Sequence, residues 1–417
     1  MTIHESLAYL AQLENRGIRL GLDPLSRLLA THDNPHLKCR TVLIGGTNGK
    51  GSVAAMLSSV LRQAGYRVGL YTSPHLLDFR ERIRVDGKKI PERELARLIE
   101  QIRHSLHEDL TYFEFATAIA FFYFELQKVD IAILEVGMGG RLDATNLARP
   151  DVAVITNISR EHCDFLGHTL GAIAGEKAAI IHEGGVCVTA ARQRSVRDVL
   201  AERCRRMHAQ LYRVGREIRY RCTGEGYFSY YGKSSVIKNL VLPLVGRYQY
   251  ENACCALAVL ELLNERGLSV GEEAVAEGLG QVQWAGRMER IGSFPPVIVD
   301  GAHNPSAVSA LCRSLREDFS YDRLIVVFGV LGDKNYRGML RRLAPLADRL
   351  ILTGMEAKRA VNPACLEAFA KTLHACVESV GDSGEALARA RKVAGRHDLI
   401  CVTGSLYLVG EMKRHIS

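Results

Sequence analysis

At 417 residues the chain is long for one hydrophobic core, so two domains are expected. Its 47% hydrophobic and 24% charged residues are those of a soluble globular protein. The formal charge of +8 is modest for this length and suits anionic substrates such as nucleotides and polyacids; no run of Lys and Arg interleaved with aromatics points to nucleic acid.

The start, MTIHESLAYLAQLENRG, has no basic segment leading into an apolar core, so no signal peptide is expected. The longest apolar stretch, Phe113 to Leu126, is interrupted by Glu114, Thr117 and Glu125 and is too short to span a membrane. Eleven cysteines, an odd number without a CxxC pair, point to reduced thiols in a cytoplasm. Residues 5–15 have helical spacing, and a loop of apolar character follows with Ile18, Arg19 and Leu20. Val42, Leu43 and Ile44 read as a short buried strand. Four glycines (45, 46, 49 and 51) then surround Lys50, and Ser52 opens an apolar helix. Strand, glycine loop, lysine, hydroxyl and helix, in that order, make a phosphate cradle. Glycines let backbone N–H groups face phosphate oxygens, and the helix N-terminus adds partial positive charge. Asn48, Gly49, Lys50, Gly51 and Ser52 are the candidate nucleotide contacts, with Lys50 on the β/γ-phosphates and Ser52 on a magnesium ion. The strict pattern G-x-x-x-x-G-K-[ST] is not met, because Ile44 takes the first glycine position and Gly51 separates lysine from hydroxyl. An ordinary glycine-rich turn is the alternative.

Tyr66 to Tyr71 is a second strand, ending at TSPH, residues 72–75. Pro74 stops regular structure and leaves Ser73 at the carboxyl end of a strand, where open parallel sheets bind ligands. A turn residue serving the local backbone is the alternative. Arg80 to Arg84 and Lys88 form a short basic segment around a turn at Asp86-Gly87. Helices are expected over 91–107 and 113–126. Ile131 to Glu135 is an apolar strand ending in a carboxylate; the loop GMGGRLDATN follows, then a strand from Asp151 to Asn157. This alternation predicts a mainly parallel sheet covered by helices. Residues 217–245 read as edge hairpins, followed by helices through Leu263 and over 272–280. WAGR at 284–287 and Phe294-Pro-Pro mark a junction, giving expected domains 1–284 and 285–417. Beyond it Val297–Asp300, Leu324–Phe328, Arg349–Thr353 and Leu399–Thr403 are strand-like, with helices between. The expected fold class is α/β: a P-loop parallel-sheet ATPase domain followed by a smaller Rossmann-like α/β domain.

Glu135 ends a buried strand directly before a glycine loop. A buried carboxylate costs free energy unless a cation or donors offset it. Beside a phosphate loop that cation is Mg²⁺; capping of the loop's backbone is the alternative. His162, past the next strand, suits a nitrogen ligand or a plain surface position. Lys177 lies early in a helical stretch, where lysines are usually solvated. Arg287, at the domain junction, suits a charge clamp on a transferring phosphoryl group. Asp300 and His303 sit at the carboxyl end of the second domain's first strand. Pro305 fits a helix N1 position and Asn304 its N-cap.

GGTNGKGS resembles the ATP loop of the Mur ligase superfamily and, within it, of the folylpolyglutamate synthase/dihydrofolate synthase family. TSPH, LEVGMGGRLDATN, TNISREHCDFLG, GEKAAI, GRYQYENACCALA, WAGRME and DGAHNP follow in the family's order over nearly the full length. The resemblance implies Ser73, Glu135 and His162 as Mg²⁺ ligands around the ATP γ-phosphate, and Lys177 carbamylated by CO₂. It implies nucleotide contacts from Asn252 and Asp300, with His303 nearby, and Arg287 on the phosphates. Glu161 departs from the Asp of many relatives. The form GGRLDATN resembles the bifunctional bacterial enzymes, in which Leu142, Asp143 and Ala144 line a dihydropteroate site. Physically, Asp143 offers a carboxylate to pterin N–H donors and Phe113 an aromatic face, with Ile18 to Leu20 closing the pocket; an Asp capping its loop and a core Phe are the alternatives.

The resulting expectation is a cytoplasmic, monomeric acid–amine ligase using ATP and Mg²⁺. Its substrates would be dihydropteroate or reduced folates and L-glutamate, joined through an acyl phosphate, with neither nucleic acid nor membrane as partner. A cell-wall Mur ligase is disfavoured by the TSPH, GGRLDATN and DGAHNP forms together. A nucleotide-binding switch would need a base-reading motif such as NKxD, which the sequence lacks.

Overall fold

The computed structural model describes residues 2–14, 17, 21–224 and 226–415, so the expectation for Ile18, Arg19 and Leu20 lies outside the described residues. The chain divides into two compact units, Met1–His75, Phe79–Pro243 and Gln249–Val282 in the first, and Leu76–Asp78, Leu244–Tyr248 and Gln283–Ser417 in the second. Two short internal segments thus join the second unit, in addition to the expected C-terminal stretch.

In chain order the first half contains α1 (Ile3–Glu14), α2 (Asp23–Ala30), β1 (Arg40–Gly45), α3 (Lys50–Gln63), β2 (Val68–Tyr71), β3 (Ile83–Val85), β4 (Lys88–Lys89), α4 (Glu92–His104), α5 (Tyr112–Leu126) and β5 (Ile131–Glu135). It continues with β6 (Val152–Ile155), α6 (Cys163–Leu166), α7 (Leu170–Ala178), β7 (Val186–Thr189), α8 (Arg194–Arg206) and β8 (Gln210–Arg213). The eight strands form one sheet in the order β4-β3-β2-β5-β1-β6-β7-β8. From β2 to β8 all neighbours are parallel, and β3 and β4 extend one edge antiparallel. Asp86 and Gly87 join β3 to β4 with φ of +50° and +78°, the left-handed pair that a tight hairpin needs. Val42, Leu43 and Ile44 are fully buried, as a continuous apolar run must be when helices cover both faces of a parallel strand. The apolar run of α5 is a buried helix, started by a capping box between Thr111 and Glu114.

The edge-hairpin segment forms a separate antiparallel sheet of β9 (Arg219–Gly224), β10 (Tyr227–Tyr231) and β11 (Val236–Val241). Next come α9 (Tyr248–Glu265) and α10 (Glu272–Gly280). Glu261 of α9 anchors the β10–β11 turn, accepting from Tyr230 Oη, from the amides of Lys233, Ser234 and Ser235, and from Ser234 Oγ.

The second unit contains β12 (Glu289–Ser293), β13 (Pro296–Asp300), α11 (Pro305–Glu317), β14 (Leu324–Phe328), α12 (Tyr336–Leu343), β15 (Arg349–Thr353), α13 (Pro363–Ala370), β16 (Val377–Val380), α14 (Ser383–Val393), β17 (Leu399–Thr403) and α15 (Leu406–Arg414). Its sheet runs β12-β13-β17-β14-β15-β16, parallel except for the antiparallel edge β12. Alternate side chains face opposite sides. Ile298, Val326 and Phe328 pack under α11, α12 and α13, whereas Val297, Val299 and Val327 pack under α14 and α15. This is a doubly wound layer structure, the expected Rossmann-like class. The edge strands β12 and β16 are short and half-exposed, and sequence patterning did not mark them.

Candidate active site

The sheet order puts side by side the four strand ends that carry or lead into candidate ligand residues. β1 lies between β5 and β6, and β2 lies next to β5. The chain leaves β1 toward one edge and returns to the other side of β1 with β6, so the loop after β1 sits at the switch point where such sheets bind ligands.

Gly46 and Gly49 need their missing side chains. They have φ of +126° and +88°, and a Cβ on either would collide with Thr156 Oγ1 or Asn252 Oδ1 respectively. The end of β6 holds the loop. Thr47 N donates to Asn157 O (2.8 Å), Asn48 N to Asn157 Oδ1 (3.0 Å), and Thr156 Oγ1 to Asn48 O (2.7 Å). Gly49 in turn caps α3 in the left-handed conformation, which starts the helix at Lys50 and buries Gly51 and Ser52 in its first turn. Asn252 is buried against Gly49 and donates to Gln249 Oε1 at 2.8 Å. Five of the nucleotide-site candidates, with Asn252, therefore gather at one loop.

Lys50 Nζ donates to Thr47 O at 3.1 Å and more weakly to Gly46 O at 3.4 Å. Lys177 Nζ donates to the same Gly46 O at 2.8 Å. Lys177 is 5% exposed, so the solvated-helix alternative does not apply to it. Burial, and then the neighbouring charge of Lys50, push its pKa down to about 7, while Glu161 and Asp143 pull weakly the other way.

Glu135 closes β5 opposite Ile44 and is 6% exposed. Its Oε2 accepts from Ser73 N at 3.2 Å, which joins the two candidate metal residues from β2 and β5. His162 caps the short helix α6 with φ +52° and lies 4.0 Å from Glu161. Ser52, Ser73, Glu135 and His162 form a set of hydroxyl, carboxylate and imidazole donors, and the oxygens among them suit Mg²⁺. Among the described residues no three His, Cys, Asp or Glu side chains gather into a cage. An ion bound mainly by phosphates and one or two protein oxygens has no need of one.

Phe113 packs its ring on Gly137, where a Cβ would overlap it, and stands 6.0 Å from the Tyr71 ring. Asp143 serves its own loop. It is 4% exposed, and its carboxylate accepts from Met138 N (2.9 Å), Thr145 N (3.0 Å) and Thr145 Oγ1. The structure thus gives it the loop-capping role. Desolvation by burial still leaves its pKa raised. Ala144 is buried behind it, and Leu142 is half-buried. Gly140 lets this loop touch the backbone of Glu176 and Lys177, so the loop and the buried lysine are packed as one piece.

In the second unit, Asp300 ends β13 and accepts from Met288 N (3.0 Å) and Ala302 N (2.9 Å). Burial raises its pKa, and the neighbouring Arg287 opposes that most. Arg287 Nη1 donates to Gly286 O at 3.0 Å. His303 Nδ1 lies 2.9 Å from Gly301 O, and Asn304 caps α11 through Ala307 N, with Pro305 at its start. Arg287, Asp300 and His303 therefore share the carboxyl end of β13. Sequence reasoning missed Gln249, Thr156 and Asn157, which shape the loop. TN at a strand end is a signal for the latter two; Gln249 carried none.

Residues 44–260 match the Mur ligase middle domain, and residues 286–406 match the Mur ligase glutamate ligase domain. With the phosphate loop at the switch point, they define an ATP-dependent ligase of the Mur type. A dihydrofolate synthase/folylpolyglutamate synthase of Bacillus subtilis is 33% identical over 96% of each chain. E. coli FolC in complex with DHPP and ADP superposes with a TM-score of 0.91 at 33% identity, over 99% of this chain and 97% of that one. A bifunctional folylpolyglutamate synthase/dihydrofolate synthase of Yersinia pestis, complexed with AMPPNP and Mn ion, gives 0.90 at 31%, over 99% and 98%. The chain belongs to the dihydrofolate synthase/folylpolyglutamate synthase family.

Proposed function

We propose that this protein joins L-glutamate to dihydropteroate and to reduced folates, consuming ATP. The observation that carries this reading is the placing of the phosphate loop, Ser73 and Glu135 at adjacent strand ends, with Lys177 of α7 buried against the loop at Gly46 O, in a chain matched along its length by enzymes of that name.

A carboxylate resists nucleophiles because of its charge. Transfer of the γ-phosphoryl group converts it to an acyl phosphate with a good leaving group. The glutamate amine then attacks the acyl carbon, and phosphate leaves from the tetrahedral intermediate. Lys50 holds the β/γ-phosphates, and the loop amides fix their position. Ser52, Ser73, Glu135 and His162 would hold magnesium, which when bound offsets phosphoryl charge. Asn252, Arg287, Asp300 and His303 serve the nucleotide, and Phe113 with the Leu142–Ala144 loop borders the acid's ring. Asp143 acts there by holding the loop's shape.

Lys177 is carbamylated in this reading. Its pKa near 7 leaves much of the amine neutral at physiological pH. The neutral amine adds to CO₂, forming an N–C bond and releasing a proton. The product is an anion beside Lys50, so a like-charge pair becomes an opposite-charge pair.

Release of ADP with dihydropteroate and with a reduced folate, each with and without L-glutamate, tests the proposal. Turnover that requires glutamate with both acids is expected. Consumption of the folate alone leaves a polyglutamate synthase, and glutamate-independent hydrolysis refutes the ligase.

A further inference from the structure

Beside the aromatic wall of the first unit stands a buried cation. Arg82 is only 5% exposed, and among the described residues its guanidinium has no carboxylate partner. Its Nε donates to His75 Nδ1 at 2.8 Å, and its Cζ lies 5.3 Å from the Tyr112 ring and 5.9 Å from that of Phe79. Tyr112 precedes Phe113, the ring candidate for the acid substrate. Thr72 N donates to Arg82 O at 2.9 Å, which ties Arg82 to the strand end carrying Ser73. Ring faces offset part of the cost of burying a guanidinium. A cation held this dry is normally matched by an anion, and the two-pronged guanidinium fits a carboxylate bidentately.

We propose that Arg82 binds the non-reacting carboxylate of the acid substrate's terminal glutamyl group. The inference rests on the proposed function and adds a division of labour to it. Dihydropteroate carries one carboxylate, the one that is activated. A folate carries two on its terminal glutamyl group, and only one of them reacts. Arg82 therefore serves folate extension and has no partner in the dihydropteroate reaction.

The test measures KM and kcat of the full-length protein for a monoglutamyl reduced folate and for dihydropteroate, in wild type, Arg82→Lys and Arg82→Gln, alongside melting temperature. In Arg82→Gln the folate KM should rise about ten- to a hundredfold relative to that of dihydropteroate, with partial recovery in Arg82→Lys. A second arm needs no variant. A folate whose non-reacting carboxylate is a carboxamide should lose a similar factor in KM with the wild-type protein. Equal changes for both acids, or a carboxamide bound as well as the parent folate, would overturn the proposal and leave Arg82 as a support for its loop. A wild type that consumes neither acid defeats the proposed function itself, and this inference with it. A wild type confined to folates still tests Arg82 through the carboxamide.

Discussion

Two lysines share one carbonyl, that of Gly46, and only one of them is accessible to solvent in the ordinary way. Lys50→Ala tests the proposed hold on the β/γ-phosphates; ADP release should fall at least about a hundredfold while circular dichroism stays unchanged. Lys177 behaves differently, because its folded pKa of about 7 lies below the unfolded value. Between those two values the unfolded chain binds a proton that the folded chain lacks, so stability rises with pH across that window. Below it the cost of the buried charge is complete. In CO₂-free buffer Lys177→Met should therefore stabilise the protein at pH 6 by roughly 1–3 kcal/mol, with the advantage fading toward pH 10, and should abolish turnover. A melting-temperature series against pH, with ADP release measured in parallel, checks both. Asp143→Ala should lower kcat/KM for dihydropteroate and for folate together. Its carboxylate holds the loop through Met138 and Thr145, and losing such a cap costs about 1 kcal/mol or more. A loss confined to dihydropteroate would instead mark direct contact of Asp143 with the pterin.

At the scale of elements, the loop after β1 and the β10–β11 turn are each held by side chains from another element. Gly49→Ala places a methyl on Asn252 Oδ1 in a left-handed conformation. Nucleotide affinity, read by calorimetry, should drop at least about tenfold while the sheet stays folded. Glu261 carries the β10–β11 turn. Burial alone would raise its pKa, but the amide and hydroxyl of Ser234, the amide of Lys233 and the Tyr230 hydroxyl outweigh that and lower it. A depressed carboxylate contributes stability above its unfolded pKa and loses it as pH falls through the folded one. Glu261→Gln should cost about 1.5–3 kcal/mol at pH 7, and the difference from wild type should shrink in denaturation curves taken near pH 3.

At the scale of the whole chain, the regular elements were legible where pattern is local. Buried apolar runs marked β1, β5, β14 and β17, and Pro305 with Asn304 marked the start of α11. Two short edge strands of the second unit escaped because half-exposed strands lack a continuous apolar run. The candidate site was legible as motifs, since glycine, lysine and hydroxyl spacing is imposed by phosphate geometry. By itself, then, the sequence determined the class of fold, the phosphate loop and the family. The tertiary structure decided which strand ends are neighbours, because parallel pairing joins residues far apart in the chain and leaves no local signal. It decided that Lys177 is buried against Gly46, that Asp143 is committed to its own loop, and that Arg82, one of several arginines in a basic run, is the one held dry between aromatic rings. The reason is the same in each case: burial sets what a charged group costs and whom it must meet, and burial exists only once distant segments have packed.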